Sequence, residues 1–406
     1  MPQIIIVFCL AVVVLTYVLF SMRVGNFINV LTPFLLFEIP AHYVLELVYI
    51  ALFGRSGSDY AYFYCYATYT LGIVATAAGY LGMTARPVSL VLAAPTLRVR
   101  GLPVFFLLVG AALYAPVLLA YPNLLTSPRE IYSLTRTGFG IYFFLSSFAV
   151  YVGYILFLFS GARRRSAHMT YFVAACVILY MHGSKGQVLQ LFLIALFYYT
   201  FVGLKSFGIR KMALIGPAAA IGIVGLFYLT SPVDSALDMV SSIAEYSDYT
   251  RNSILVIDDP NLNLQHGQLT VGEMIYSLVP RVLFPDKPSD FGSLWLAEQY
   301  FPRRFAENTG APAFGIGVPY ADFGDFAIAY WMLAGLLSGI TMRLLTSKLQ
   351  FAPDAGTFAL LLVFLNVQLI PAGAAIPLAF YYLCAILIRI IAGRPPAREA
   401  TQAVAV

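Results

Sequence analysis

Glu38, His42 and Glu46 are spaced by four residues within an apolar run, so one helix face carries two carboxylates and an imidazole. Ionisable groups at membrane depth are costly and usually face a partner or a water-filled cavity. A carboxylate such as Glu46, tuned by burial, could serve as general base on a sugar hydroxyl; the competing expectation is a structural network with cations. A second group is Glu245-Tyr246-Ser247-Asp248-Tyr249-Thr250-Arg251, where aromatic faces and carboxylates mix as sugar binding requires, making Glu245 and Tyr249 candidate sugar contacts. A third is a set of cations: Arg129, Arg136, Lys185, Arg251, Arg281, Lys287, Arg303 and Arg304. Guanidinium groups give fixed bidentate donors for phosphate oxygens and lysine gives a point charge, unless these groups pair with neighbouring acids. Lys185 lies in His182-Gly183-Ser184-Lys185-Gly186-Gln187, a turn between two short apolar runs. A recessed ammonium there needs an anion or water, or snorkels to the headgroups.

The elements that must position these residues follow from composition. Of 406 residues, 60% are hydrophobic and 11% charged, so lipid is the main solvent. Backbone amides in hydrocarbon must pair within their own segment, and long uniform apolar runs select helices over a barrel. Runs of spanning length fall near 3–22, 27–53, 60–82, 103–120, 139–160, 167–183, 187–204, 212–230, 326–345, 356–371 and 375–392, which predicts about eleven transmembrane helices in an all-α, polytopic membrane protein.

Alternate gaps between these runs hold 15 cations against two acids, Asp354 and Glu399. That set marks the cytoplasmic face and places the N-terminus outside and the C-terminus inside. The cations named above fall on the other side. Residues 231–325 carry 13 of the 19 acids and five cations, a net charge near −8. This stretch is expected to form short interfacial or re-entrant helices of a large outer insert within one transmembrane domain spanning 1–406.

Met1-Pro2-Gln3 lacks a basic n-region and no small-residue cleavage site follows Phe20, so the first run reads as a retained helix. Cys9, Cys65, Cys176 and Cys384 lie far apart in apolar runs and read as small hydrophobes. No P-loop, GxGxxG, HExxH or GxSxG motif stands in a credible place, so no cofactor or metal is expected, and no nucleic-acid module is visible. His266 is a lone loop histidine, and no internal repeat is evident.

Val279-Pro280-Arg281-Val282-Leu283-Phe284-Pro285-Asp286-Lys287-Pro288, Thr309-Gly310-Ala311-Pro312 and Val318-Pro319-Tyr320-Ala321-Asp322-Phe323-Gly324 resemble the Wzy-type oligosaccharide repeat-unit polymerases. The Gly183-Ser184-Lys185-Gly186 turn is similar to one seen in that family and in the related O-antigen ligases, with lysine where arginine is common. Arg129/Gly140, Arg281/Gly292 and Arg304/Gly315 fit the family pattern of an arginine followed eleven positions later by glycine.

The resemblance implies a GT-C-like glycosyltransferase of the bacterial inner membrane, working at its periplasmic face without nucleotide sugar. It would move a polyprenyl-diphosphate-linked glycan onto another lipid-linked repeat unit, alongside membrane lipids, a chain-length regulator and a flippase. Arg129, Lys185, Arg251, Arg281 and Arg304 would then steady the departing diphosphate. Glu46, Asp248 or Asp322 would supply the base. Rival readings are an O-antigen ligase, a transporter or flippase of lipid-linked glycans, and a scaffold of envelope assembly.

Overall fold

The computed structural model describes residues 1–83, 101–122, 139–160, 165–212 except 184, 240–278 except 242, 245 and 246, 291–306, and 313–366 except 352, with a few isolated positions between. Among them all regular structure is helical. The protein is an all-α membrane protein: Pro2–Val24, Leu102–Ala120, Ile141–Phe159 and Gly317–Phe351 are each long and apolar enough to cross a bilayer. The expected runs at 212–230 and 375–392 lie outside the described residues. The other nine overlap helices, that at 356–371 being described only as far as 366.

By internal contacts the chain forms two compact units, the first comprising Met1–Ala85, Lys205–Leu344 and Val363–Leu378. It opens with α1 (Pro2–Val24), which ends on Gly25 in the left-handed region at φ 73°, where the Gly25 N–H reaches Ser21 O. The predicted run at 27–53 begins later than expected. Residues 26–32 form a turn instead, because Asn26 Oδ1 accepts the Ile28 and Phe207 N–H groups and Thr32 Oγ1 accepts that of Asn29. Helix then starts as a wide π segment, Phe34–Val44, and continues as α2 (Leu45–Phe53). Pro40 sits inside the π segment, and its carbonyl accepts the Leu45 N–H.

Helix α3 (Asp59–Gly82) starts at an N-cap serine, the Ser58 hydroxyl accepting the Ala61 N–H at 3.1 Å. The insert contributes α8 (Asp248–Ile257), α9 (Gln268–Leu278), α10 (Ser293–Tyr300), α11 (Pro302–Ala306) and α12 (Gly317–Phe323), short as the sequence implies. They share a small core of Val256, Leu269, Leu296, Ala297, Phe314, Val318 and Ala321. α8 also packs on α3.

A 3₁₀ turn, Gly324–Phe326, leads into α13 (Ala327–Phe351). α13 meets α3 backbone to backbone: a Cβ at Gly335 would lie 2.4 Å from Gly72 O, and one at Gly339 would lie 2.1 Å from Thr76 O. Gly335-Leu336-Leu337-Ser338-Gly339 is thus a GxxxG contact, the small-residue packing that lets membrane helices approach closely.

The second unit comprises Arg86–Leu204, Leu345–Leu362 and Ala379–Val406. In it α4 (Leu102–Ala120) and α5 (Gly140–Phe159) pair tightly, with the Ser146 hydroxyl donating to Gly110 O at 2.6 Å. α6 (Arg165–Met181) and α7 (Lys185–Phe197) follow, and α7 runs on into a π turn, Tyr198–Val202. Near the start of α14 (Ala355–Asn366), Asp354 accepts the Thr357 N–H and hydroxyl and lies 3.4 Å from Lys348 Nζ. Both charges of this pair are buried, a compensated arrangement at a helix N-terminus.

Candidate active site

The first unit brings the Glu38–His42–Glu46 face against the acid-rich stretch of the insert. The π segment carries Glu38 and His42, α2 carries Glu46 and Tyr49, and α8 carries Asp248 to Arg251. Glu38 Oε2 lies 2.8 Å from His42 Nε2, and the opposite ring nitrogen, Nδ1, lies 2.6 Å from the Thr250 hydroxyl. His42 and Thr250 are buried, whereas Glu38 keeps 17% exposure. The Tyr69 ring lies 4.5 Å from the imidazole, and Tyr66 donates to the His42 carbonyl. Glu38, His42 and Tyr69 also line a narrow hollow of about water-molecule size with Phe34, Tyr43, Ile73 and Trp331.

Glu46 has no exposure, and its Oε1 accepts the Tyr62 hydroxyl at 2.8 Å. The Arg251 guanidinium stacks over the Tyr49 ring at 3.9 Å, where cation and π face attract. From there its charge acts on both Glu46 and Asp248.

Asp248 stands in the first turn of α8, an end that favours a negative side chain. It is half-buried, and burial raises its carboxyl pKa above the usual range, against the lowering pull of the Tyr249 N–H and the Arg251 charge. Tyr249 is exposed, its ring set edge-on to His42.

Asp322 is fully buried and caps α9, its two oxygens accepting the Leu269 and Thr270 N–H groups at 3.0 and 2.7 Å. Lys185 opens α7 in the second unit and Arg304 lies in α11. Arg129, Arg281 and Glu245 lie outside the described residues. His266 is an exposed loop residue with φ 52°, its N–H bonded to Asp322 O. Gly292 and Gly315, from the arginine–glycine pairs, have φ 59° and 48°, and a Cβ at Gly315 would lie 2.5 Å from the Tyr69 hydroxyl. Glycine is therefore required at both places by backbone and space.

This chain is 34% identical over 374 residues to the O-antigen polymerase of Salmonella typhimurium strain LT2, covering 90% of this chain and 89% of that protein. The chain belongs to the O-antigen polymerase family. An O-antigen polymerase of Salmonella typhi matches with the same identity and coverage. No family model matches the chain, and no solved structure matches it. As a member of this family, the protein places four side chains in the site that the sequence did not single out: Tyr49, Tyr62, Tyr69 and Thr250. The i, i+3 spacing of Glu46 and Tyr49 was the available signal for one of them. Thr250 was hidden within a stretch noted for its acids.

Proposed function

We propose that the protein polymerises polyprenyl-diphosphate-linked oligosaccharide repeat units into O-antigen or a like surface polysaccharide at the periplasmic face of the bacterial inner membrane. The single observation carrying this reading is kinship with O-antigen polymerases along nine-tenths of the chain. That kinship favours polymerase over ligase.

In the proposed step Asp248 takes the proton of an acceptor sugar hydroxyl, and the oxygen attacks the donor's anomeric carbon. The bond from that carbon to the diphosphate breaks, and the polyprenyl diphosphate leaves as an anion held by Arg251. Asp248 is preferred because Glu46 is sealed against Tyr62 and both Asp322 oxygens cap a helix. Tyr249 offers an exposed ring to a sugar face, and Glu245, three residues before the start of α8, belongs to the same proposed sugar contact. Arg129, Lys185, Arg281 and Arg304 remain proposed phosphate contacts on the strength of the family resemblance.

The proposed topology has eleven spans, the N-terminus in the periplasm, the C-terminus in the cytoplasm and 231–325 as the outer insert. The distribution of basic residues supports it. A chain-length regulator and a flippase are proposed partners. The test is reconstitution of the purified protein in lipid with lipid-linked repeat units. A ladder of growing lipid-linked chains is expected, and transfer to a core acceptor alone would overturn the reading in favour of a ligase.

A further inference from the structure

We infer that Glu38, His42 and Thr250 form a positioning relay that aims α8, and with it Asp248 and Arg251, at the reacting groups; this rests on the site proposed above. The Ser247 side chain caps no N–H of the first turn of α8, and while Asn252 and Ser253 tie the middle of the helix to Ala313 O and Phe314 O, Thr250 ties its start. Thr250 stands two residues after the proposed base and one before the proposed phosphate ligand, and it is fully buried. Its hydroxyl faces His42 Nδ1 at 2.6 Å.

The Glu38 carboxylate at Nε2 decides how that contact works. A carboxylate only accepts, so Nε2 carries a proton, and in the neutral imidazole on which the relay rests Nδ1 presents a lone pair. The threonine must then donate. One carboxylate therefore fixes the tautomer, the tautomer fixes the direction of the threonine bond, and the bond fixes the rotation of α8. The π segment supplies the frame, since irregular helical turns of this kind recur where function demands a particular aim. The Tyr66 hydroxyl on the His42 carbonyl and the Tyr69 ring beside the imidazole hold the histidine itself. Thr250 is sealed from any substrate, so its contribution is to geometry rather than to bond making.

The experiment compares Thr250→Val, Thr250→Ser and Glu38→Gln with Asp248→Asn in the reconstituted polymerase, per mole of folded protein. Valine keeps the shape and removes the donor, serine restores it, and glutamine removes the charge that fixes the tautomer. Thr250→Val and Glu38→Gln are each expected to lower kcat about 10²-fold, the effect of slight misplacement of a catalytic group, with the donor KM within about twofold. Thr250→Ser should return kcat to within about threefold of the parent. Unchanged kcat in Thr250→Val, or serine as impaired as valine, would overturn the relay. If Thr250→Val does not fold, the Glu38→Gln and Thr250→Ser pair decides on the same criteria. Full activity in Asp248→Asn would instead sink the site on which the relay rests.

Discussion

At the scale of single residues, the proposed site divides the work between Asp248, for the proton, and Arg251, for the diphosphate, and each proposed role has its own signature. A base must be ionised to act, and burial makes the Asp248 carboxyl harder to ionise than a solvated one. Activity should therefore fall on the acid side, with its midpoint above the ordinary aspartate value of about 3.9, and be fully present once pH exceeds the folded pKa. A pH–rate profile of the reconstituted enzyme checks this, and an acid limb at or below the solvated value would exclude Asp248. Arg251 is held by its stack on Tyr49, a contact that uses the planar guanidinium. Arg251→Lys keeps the charge but loses the fork and the stack, so kcat should fall about tenfold, whereas Arg251→Ala should cost about 10²-fold or more. Equal losses in the two variants would mean that planarity has no part in binding the leaving group. Glu46 and Asp322 illustrate how far residue type alone leads. Both are acids beside suggestive neighbours, yet one is committed to a tyrosine and the other to a helix end.

Those commitments are settled at the scale of elements. Asp322 lies on α12 and satisfies two of the orphan N–H groups at the start of α9, so Asp322→Ala should destabilise the insert by about 1–2 kcal/mol. A lowered melting temperature, with the activity per folded molecule preserved, is the expected result. A loss of activity at unchanged melting would restore Asp322 as a candidate base. The α3–α13 contact is stricter, because Gly339 has Thr76 O where a side chain would begin. Gly339→Val should sharply reduce the yield of folded protein in detergent, and normal yield would contradict the close approach. Nine of the eleven expected runs were legible because hydropathy is a property of length and composition, whereas the Ser58 cap that fixes the start of α3 was not read from the sequence. The π segment was not legible, since its registry depends on packing around Pro40 rather than on any periodic pattern. Glu38, His42 and Glu46 were readable as one face from their spacing alone, whereas their partner helix came from a segment some 200 residues away. The GxxxG on α13 was present in the sequence, but only its match with Gly72 and Thr76 on α3 gives it meaning.

At the scale of the whole molecule, the chemistry requires that the site open on the side where lipid-linked repeat units are joined. Positive charge in short loops resists translocation, so the 15 cations of the alternate gaps should stay in the cytoplasm. The acidic insert, with its net charge near −8, should then lie in the periplasm together with the loop at 261–263. That loop is a suitable reporter because Asn261 and Asn263 are exposed and the three described native cysteines are buried or half-buried. In a Cys384→Ser background, Asn261→Cys should react with a membrane-impermeant maleimide once the outer membrane is permeabilised. A cysteine added after Val406 should react only after the inner membrane is opened. The reverse pattern would place Asp248 and Arg251 in the cytoplasm, on the wrong side for a periplasmic polymerase. Labelling of both sites in intact inner membranes would mean an even number of spans between the insert and the C-terminus. Either outcome would break the alternation of basic loops on which the eleven-span topology stands.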